Sequence, residues 1–248
     1  MKIKIQDLII YDDSALIAVN KPAGLPVLPD GYNREAPHLV RILQPEFGPL
    51  MIVHRLDKDT SGLVILARTP EAHRSLNIQL EKRLVAKTYH ALVVGTPPWE
   101  TKSIHMPLRV DGDRRHRTIV DSRQGKPAHT DLRLLERFTQ YSLLEVLPHT
   151  GRTHQIRVHL AAVGLPIVAD ALYGTGESLY LSAFKPDFQP NRESECALLK
   201  RLGLHACSTR FTHPITGREM QLNAPYPKDF NGALRQLRRY DHGSQDIS

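Results

Sequence analysis

Short apolar stretches with alternating polar positions dominate the first two thirds of the chain, and this pattern is typical of β-strands. Residues 8–19 contain two such stretches on either side of the polar Asp12-Asp13-Ser14, which predicts a hairpin. The continuous apolar run 63–67 predicts a buried strand. Alternating patterns predict three further strands, at residues 87–95, 129–135 and 141–147.

Helix signals occur in four segments between and after these strands. Thr69 and Pro70 form a cap and first-turn pair for a helix that reaches about Lys82. Thr153 is the expected N-cap of a second helix, which Gly164 ends. A short helix near 38–43 and a final helix over 229–240 complete the set, and residues 183–200 are predicted to be irregular.

Composition narrows the classes of protein that these elements could form. The 248 residues are 41% hydrophobic, and 33 Lys+Arg against 26 Asp+Glu give a net charge of +7. Such a chain has enough apolar residues for a large core, and its basic balance favours phosphate-rich partners. No apolar run approaches the ~18 residues of a spanning helix, and no signal peptide is recognisable. We therefore expect a cytoplasmic location and no membrane contact.

Several kinds of chemistry lack their sequence signature. The two cysteines, Cys196 and Cys207, cannot build a disulfide framework, and we expect both to be reduced. The motifs of P-loop nucleotide hydrolysis, dinucleotide binding, zincins and α/β-hydrolases are absent from the sequence. His154 and His159 lie five residues apart on a predicted helix, on different faces, so we expect no shared metal. The basic segment 109–126 is either an RNA contact or a solvated charged loop.

The most unusual segment is HRLDKDTSG at residues 54–62, a dense polar stretch between two apolar runs. A carboxylate held there must be paired or hydrogen-bonded, because an unpaired buried charge is costly. Taken alone, Asp57 fits either a catalytic carboxylate or a turn residue that caps its own backbone with Thr60 and Ser61.

The sequence HRLDKDTSG resembles the signature of the RluA-type pseudouridine synthases, which isomerise uridine in structured RNA. The similarity continues in order along the chain, in NKPAGL at 20–25, KTYHALVVG at 87–95, GKPAHT at 125–130, TGRTHQIRVHLAAVGLPI at 150–167, LHA at 204–206 and FTHPITG at 211–217. Where relatives often show Gly-Asp after the Pro-Ile pair, this chain has Ala169-Asp170. Many members carry a small RNA-binding domain before the catalytic one, and we expect this chain to be a form without it.

The resemblance implies a role for each matching residue. Asp57 is the expected catalytic carboxylate, either as nucleophile or as base toward the sugar, and Arg157 is the expected partner that keeps it ionised. Tyr89 is expected to stack on the flipped base and to help remove the C5 proton. Arg55 is expected to enter the RNA stack in place of the target uridine. The other expected RNA-binding residues are His54, Lys21 and Arg152, with His54 and Lys21 also expected to support the loops.

The resemblance also implies an α/β (α+β) fold with a long, mixed, mostly antiparallel sheet, flanking helices and a central active-site cleft. We predict one catalytic domain over 1–240, a flexible tail over 241–248, and a monomer. The reaction needs no cofactor, nucleotide or metal, and tRNA is the predicted substrate, with ribosomal RNA as the alternative. Two rival hypotheses are a non-catalytic RNA-binding protein and a metal-dependent nuclease that uses Asp57, Asp59 and nearby histidines.

Overall fold

A computed structural model describes residues 4–29, 36–185, 188 and 195–241 of the chain. The elements in the described residues, in chain order, are β1 (Ile9–Asp12), β2 (Leu16–Lys21), α1 (Leu39–Phe47), β3 (Met51–Ile52), β4 (Ser61–Ala67), α2 (Pro70–Glu81), β5 (Ala86–Val94), β6 (Thr101–His105), β7 (Leu108–Arg109), β8 (Ile119–Val120), β9 (His129–Arg137), β10 (Tyr141–Pro148), α3 (Gln155–Ala162), β11 (Leu204–Thr212), β12 (Glu219–Asn223) and α4 (Lys228–Tyr240). Two single-turn 3₁₀ helices lie at Ile5–Leu8 and Leu181–Ala183.

The chain forms two compact units. The first unit contains Met1–Thr88 and His205–Pro225, and the second contains Tyr89–Leu204 and Tyr226–Ser248. The predicted single domain over 1–240 stays a prediction. Residues 242–248, most of the expected C-terminal tail, lie outside the described residues, as do most of residues 186–194 in the segment predicted to be irregular.

The first unit is built on a mixed sheet. The strands β1, β2, β4 and β11 are neighbours in that order, with β3 paired to β4 and β12 paired to β11. The pairing of β4 with β11 is parallel, whereas β1–β2, β2–β4, β3–β4 and β11–β12 are antiparallel. All seven residues of β4 are buried, as its apolar run predicts. Ala72 and Leu76 of α2 join Leu63 and Ile65 of β4 in the core.

The second unit is antiparallel. Its main strands follow the order β5, β10, β9 and β6, and a separate short hairpin consists of β7 and β8. Phe230, Leu234 and Leu237 are spaced about one helical turn apart on one face of α4. All three are buried, in the same core cluster as Leu92 and Leu143. These strands and helices confirm the predicted α+β class and the mostly antiparallel pairing.

Most predicted local signals are confirmed at their positions. Asp13 forms the predicted hairpin turn between β1 and β2, because its Oδ1 accepts from the amides of Ala15 and Leu16 at 2.8 and 2.9 Å. Thr69 caps α2 by accepting from the amide of Ala72 at 3.2 Å. The first helix continues to Phe47, beyond the predicted end at residue 43.

The predicted N-cap of α3 is wrong. The N-cap is His154, which has left-handed backbone angles (φ 55, ψ 17) and makes no side-chain cap hydrogen bond. The Gln155 side chain acts at this end instead, since its Oε1 accepts from the amide of Arg152 at 3.1 Å. The predicted end of the helix is confirmed, with Gly164 at φ 79.

The expectations about the cysteines and about membrane-spanning helices can also be compared with the described residues. Cys196 and Cys207 are both thiols outside any disulfide, in agreement with the predicted reduced state. None of the helices in the described ranges combines the length and the apolar composition that a membrane crossing requires.

Candidate active site

Asp57 lies in the first unit, on a turn that connects β3 to β4. The amide of Thr60 donates to the Asp57 carbonyl at 3.2 Å and closes the turn. Leu56 is 6% exposed on one side of the turn and Thr60 is 2% exposed on the other, whereas Lys58 and Asp59 are exposed. The two apolar runs that flank this segment therefore anchor a polar turn, and Asp57 is half-buried within it.

Lys21 holds this turn from inside the first unit. Its Nζ donates to the carbonyl oxygens of Pro22, Leu25 and Lys58 at 3.0, 2.7 and 3.0 Å. The amide of Gly24 donates to the same Lys58 oxygen at 2.9 Å. Lys21 is 0% exposed, which fits the loop-supporting role expected of it, and its assignment as an RNA-binding residue stays a prediction. The motif at residues 20–25 is thereby attached to the turn that carries Asp57.

His54 connects the same segment to the middle of β4. Its Nε2 accepts from the amide of Ile65 at 3.1 Å, which places the ring proton on Nδ1. Burial holds the pKa of His54 well below its ordinary value, and the nearby Lys87 ammonium lowers that pKa further. Burial also lowers the pKa of Lys87, to about 8. His54 is therefore neutral at pH 7, which fits a supporting role better than phosphate binding.

The motifs at residues 60–62 and 204–206 meet where β4 pairs with β11. Ser61 Oγ and His205 Nδ1 share a hydrogen bond of 3.0 Å, and His205 Nε2 bonds to the carbonyl of Ala224 at 3.1 Å. Gly62 has φ 117, and a Cβ at that position would lie 2.2 Å from the carbonyl oxygen of Ala206. The glycine is therefore required both by the backbone conformation and by the close approach of β11.

The motif at residues 211–217 meets the first hairpin. His213 Nε2 donates to Asp13 Oδ2 at 2.8 Å, and the Tyr11 hydroxyl donates to the same oxygen at 2.8 Å. Burial alone raises the pKa of Asp13, but hydrogen bonds from the Leu16 and Ala15 amides, Tyr11 and His213 outweigh it and bring the pKa to about 2. This motif therefore stabilises the first unit and carries no candidate catalytic group.

Tyr89 lies in the second unit, on β5, opposite Val146 of β10. Its side chain is 9% exposed. His90 is the next residue of the same strand, so it faces the other side, where its Nδ1 is hydrogen-bonded to the Tyr226 hydroxyl. The predicted opposite orientation of these two residues is confirmed.

Arg157 lies on α3, and the structure gives it a partner that the sequence analysis did not identify. Its Nε and Nη2 donate to the two carboxylate oxygens of Asp170 at 2.8 and 2.7 Å. Asp170 is 1% exposed and Arg157 is 6% exposed, so this is a buried bidentate pair. Burial raises the pKa of Asp170, but the guanidinium and the amides of Leu172 and Tyr173 bring the pKa below its ordinary value.

Tyr173 completes the support around Arg157. The guanidinium carbon lies 5.1 Å from the centroid of the Tyr173 ring, within cation–π range. The Tyr173 hydroxyl accepts from the amide of Thr118 at 3.1 Å and shares a hydrogen bond of 3.0 Å with His154 Nδ1. His159 is used elsewhere, bonded to Thr130 Oγ1 and the Met106 carbonyl at 2.9 and 3.0 Å. The two histidines therefore have separate structural partners.

The remaining predicted site residues are two arginines and the basic segment. Arg55 is exposed, two residues before Asp57. Arg152 precedes α3 in the second unit, and its Nε donates to the Pro127 carbonyl at 3.3 Å. The segment 109–126 contains the β7–β8 hairpin, in which Arg109 contacts Asp121 at 2.8 Å and Arg117 contacts Asp113 at 2.8 Å. Its exposed basic side chains are Arg114, Arg115, Arg123 and Lys126.

The predicted site residues are thus divided between the two units. Lys21, His54, Arg55 and Asp57 belong to the first, and Tyr89, Arg152 and Arg157 belong to the second. Contacts within the first unit bring Lys21 to the Asp57 turn. The pairing of Asp57 with Arg157 stays a prediction. The signal for Asp170 was present in the sequence, as the acidic residue that follows the Pro-Ile pair.

Comparisons with known proteins give a consistent result. A sequence model of the RNA pseudouridylate synthases matches residues 15–162, which include all seven predicted site residues. An uncharacterized RNA pseudouridine synthase of Chloroflexus aurantiacus is 44% identical over 229 residues, covering 88% of this chain and 65% of that protein. Ribosomal large subunit pseudouridine synthase C of Vibrio vulnificus is 37% identical over 236 residues, covering 95% of this chain and 70% of that protein.

The fold comparison agrees with the sequence comparison. The solved structure of human RNA pseudouridylate synthase domain containing 4 matches with a TM-score of 0.72 and 26% identity, covering 94% of each chain. The fold that the sequence analysis predicted is therefore confirmed. The chain spans 65% and 70% of the length of the two curated relatives above.

Proposed function

Because the chain belongs to the RNA pseudouridylate synthase family, we propose that it isomerises specific uridines of structured RNA to pseudouridine. The observation that carries this proposal is the family match over residues 15–162, which includes Asp57 on its anchored turn. The presence of Asp57, Tyr89 and Arg157 in the matching motifs argues against a scaffold that only binds RNA.

The reaction breaks the C1′–N1 bond of uridine, rotates the uracil and joins C5 to C1′. The C5 proton leaves, and N1 gains a proton, so the product is an isomer and no redox partner or energy source is consumed. Asp57 acts on the nucleoside either as nucleophile or as base toward the sugar. Its turn is suited to this role because its position is fixed through buried backbone contacts.

The second unit supplies the other proposed catalytic groups. Tyr89 stacks on the displaced uracil and assists removal of the C5 proton. Arg157 orients Asp57, and the bidentate pair with Asp170 holds the guanidinium in one geometry for that purpose. The exposed Arg55 takes the place of the uridine in the RNA stack, since a planar guanidinium can both stack and hydrogen-bond.

The substrate is structured RNA, and its class is part of the proposal. The Vibrio vulnificus relative is named for the ribosomal large subunit, which favours ribosomal RNA. The family resemblance of the sequence, in contrast, predicts tRNA. Both RNAs attract the net charge of +7 through their phosphates, so charge alone does not discriminate between them. We propose further that the protein acts in the cytoplasm, as a monomer that needs no nucleotide cofactor.

The test is tritium release from C5-labelled uridine in bulk tRNA and, separately, in large-subunit ribosomal RNA transcripts. Wild type, Asp57→Asn and Asp59→Asn are compared in the presence of EDTA. Asp59 is a matched control, because it is an exposed carboxylate on the same turn. We expect release by wild type and Asp59→Asn, and none by Asp57→Asn.

Each alternative has its own outcome, read from an added RNA-binding measurement and from a parallel reaction without EDTA. RNA binding by all three proteins with no release would support a non-catalytic RNA-binding protein. Cleaved strands that appear only when EDTA is omitted would support the metal-dependent nuclease. Release by Asp57→Asn at the wild-type rate would exclude Asp57 as the catalytic carboxylate. Release from only one of the two RNAs identifies the substrate class.

A further inference from the structure

Three histidines of the second unit lie in a row across neighbouring strands. His105 of β6 is the cross-strand partner of His129 of β9, and the amide of His149, just after β10, donates to the His129 carbonyl at 3.0 Å. The His105 and His129 rings stack with centroids 3.9 Å apart, and those of His129 and His149 are 4.1 Å apart. The register of three strands therefore places three imidazoles on one face of the sheet.

Asp131 lies on the same face, because it follows His129 by two residues in β9. Its Oδ1 accepts from His129 Nε2 at 2.9 Å, and its Oδ2 accepts from His149 Nε2 at 2.7 Å. Ser103, the cross-strand partner of Asp131 on β6, donates to Oδ1 at 2.5 Å. The Asp131 carboxylate therefore accepts a hydrogen bond from one nitrogen atom of each of two imidazoles.

We propose that His129, Asp131 and His149 bind a divalent transition-metal ion of the zinc type. One ligand atom from each of the three residues lies within 4.8 Å of the others. Among the described residues, this is the cluster of His, Cys, Asp or Glu side chains whose spacing would suit a metal ion. Two imidazole nitrogens and one carboxylate oxygen are the ligands that zinc takes when a fourth position is left to water.

The arrangement needs little change to accept the ion. Zinc bonds of about 2.0 to 2.2 Å hold tetrahedral donors roughly 3.4 Å apart. Side-chain rotation must therefore bring donors that lie up to 4.8 Å apart closer by as much as about 1.4 Å. The two hydrogen-bonded nitrogen–oxygen pairs, at 2.9 and 2.7 Å, must instead move slightly apart. The ion replaces the protons on the two Nε2 atoms. An imidazolium releases one proton to solvent, whereas a neutral ring transfers its proton to Nδ1. Ser103 continues to orient Asp131 from outside the ligand set.

The position of the site in the sheet gives the ion access and a structural effect. Asp131 and His149 have side chains that are 34% and 46% exposed, so an ion can enter from solvent. The Gln155 side chain, at the start of α3, donates to the His129 carbonyl and to Thr130 Oγ1, both at 2.9 Å. An ion held by β9 and His149 therefore stabilises the segment that leads into α3. Nothing in the proposed uridine chemistry depends on it.

The experiment uses the full chain after dialysis against EDTA. Co²⁺ is titrated into the protein, because a cobalt ion with four or five protein and water ligands gives visible bands that the hexaaqua ion lacks. Zn²⁺ is then added to displace it. We expect one equivalent of Co²⁺ to produce the bands, one equivalent of Zn²⁺ to abolish them, and Zn²⁺ to raise the thermal unfolding temperature.

Variants assign the site. Asp131→Asn and His149→Gln should each weaken Co²⁺ binding at least tenfold, because even outer-shell partners of a metal contribute about 10- to 100-fold. His105→Gln is the matched control, since His105 stacks on His129 but is outside the ligand set, and it should bind as wild type does. Circular dichroism without metal checks that each variant is folded.

Two results would overturn the proposal. One is the absence, with the folded wild-type protein, of both the visible bands and the rise in the thermal unfolding temperature. The other is unchanged cobalt affinity in both Asp131→Asn and His149→Gln, which would place the ion on other residues. Because tritium release is measured in EDTA, loss of metal binding and loss of synthase activity are separate outcomes.

Discussion

In the first unit, the Asp57 turn is fixed through its backbone, since Lys21 and Gly24 both donate to the Lys58 carbonyl. In the second unit, Arg157 is fixed through its own charged group, which forms a bidentate pair with Asp170. The first arrangement uses one buried cation to order neutral oxygens. The second uses two buried charges, each of which needs the other. Removing a partner should therefore cost more in the second unit than in the first.

The largest effect is expected from Asp170→Asn, which keeps the shape of the side chain and removes its charge. The Arg157 guanidinium would then be buried without its counter-charge, and such a change costs about 3 to 5 kcal/mol. Asp229→Asn is the control, because Asp229 pairs with Arg201 in the same bidentate geometry but its side chain is 41% exposed. Urea unfolding should show a loss of less than about 1 kcal/mol for the control. Equal losses would contradict the distinction between buried and exposed pairs.

The next effect is expected from Lys21→Met, which replaces the ammonium with an apolar group of similar length. Three carbonyl oxygens lose their common donor, so the free energy of unfolding should fall by about 2 to 3 kcal/mol. Tritium release should fall as well, because the Asp57 turn loses an anchor. Lys58→Met serves as the reference, since the Lys58 side chain is exposed on the same turn. An unchanged free energy of unfolding in Lys21→Met would contradict the role of Lys21 as an anchor of this turn.

The Asp13 carboxylate accepts hydrogen bonds both from backbone amides and from side chains. Its contribution to the free energy of unfolding depends on pH. Its pKa is about 2 in the folded chain and 3.8 for the unperturbed group. This lowered pKa contributes about 2 kcal/mol of stability, fully present above about pH 4 and lost as the pH falls toward 2. The difference in unfolding free energy between wild type and Asp13→Asn should shrink over that range. A difference that stays constant from pH 5 to pH 2 would argue against this linkage.

The smallest effect is expected from Ala169→Gly, directly before Asp170. Ala169 has φ 57, a left-handed conformation that costs a non-glycine residue about 1 to 2 kcal/mol. Glycine removes this strain but has more freedom in the unfolded chain, so the net gain should be at most about 1 kcal/mol. The thermal unfolding temperature should rise by at most about 2 to 4 °C. Ala171→Gly, at an exposed position two residues later, should instead lower the unfolding temperature.

The sequence predicted the elements that local rules control. The Asp13 turn, the Thr69 cap and the buried β4 run each depend on residues within a few positions of one another, and all three are confirmed. The α3 cap was missed because Gln155 folds back on the preceding loop, and a suitable Thr153 hid that option. The candidate residues themselves were found through motifs, since periodicity does not distinguish a catalytic carboxylate from a turn residue.

Contacts between residues from different elements could not be predicted from the sequence. The Arg157–Asp170 pair needs the chain that follows α3 to come back to that helix, and no periodic pattern encodes this contact. The His129, Asp131 and His149 cluster depends on the register of β9 with the segment after β10. A shift of one residue in that register would move the side chains to opposite faces. Such a register is known only from the three-dimensional structure.

The parallel pairing of β4 with β11 also determines when the first unit can be finished during synthesis. Ser61 and His205 are 144 residues apart, and all of the second unit up to Leu204 is translated between them. Asp57 therefore leaves the ribosome long before the strand that completes its sheet. A chain interrupted before residue 204 would contain Asp57, Tyr89 and Arg157 but expose one edge of β4. Translation must therefore reach Pro225 before the first unit can be completed.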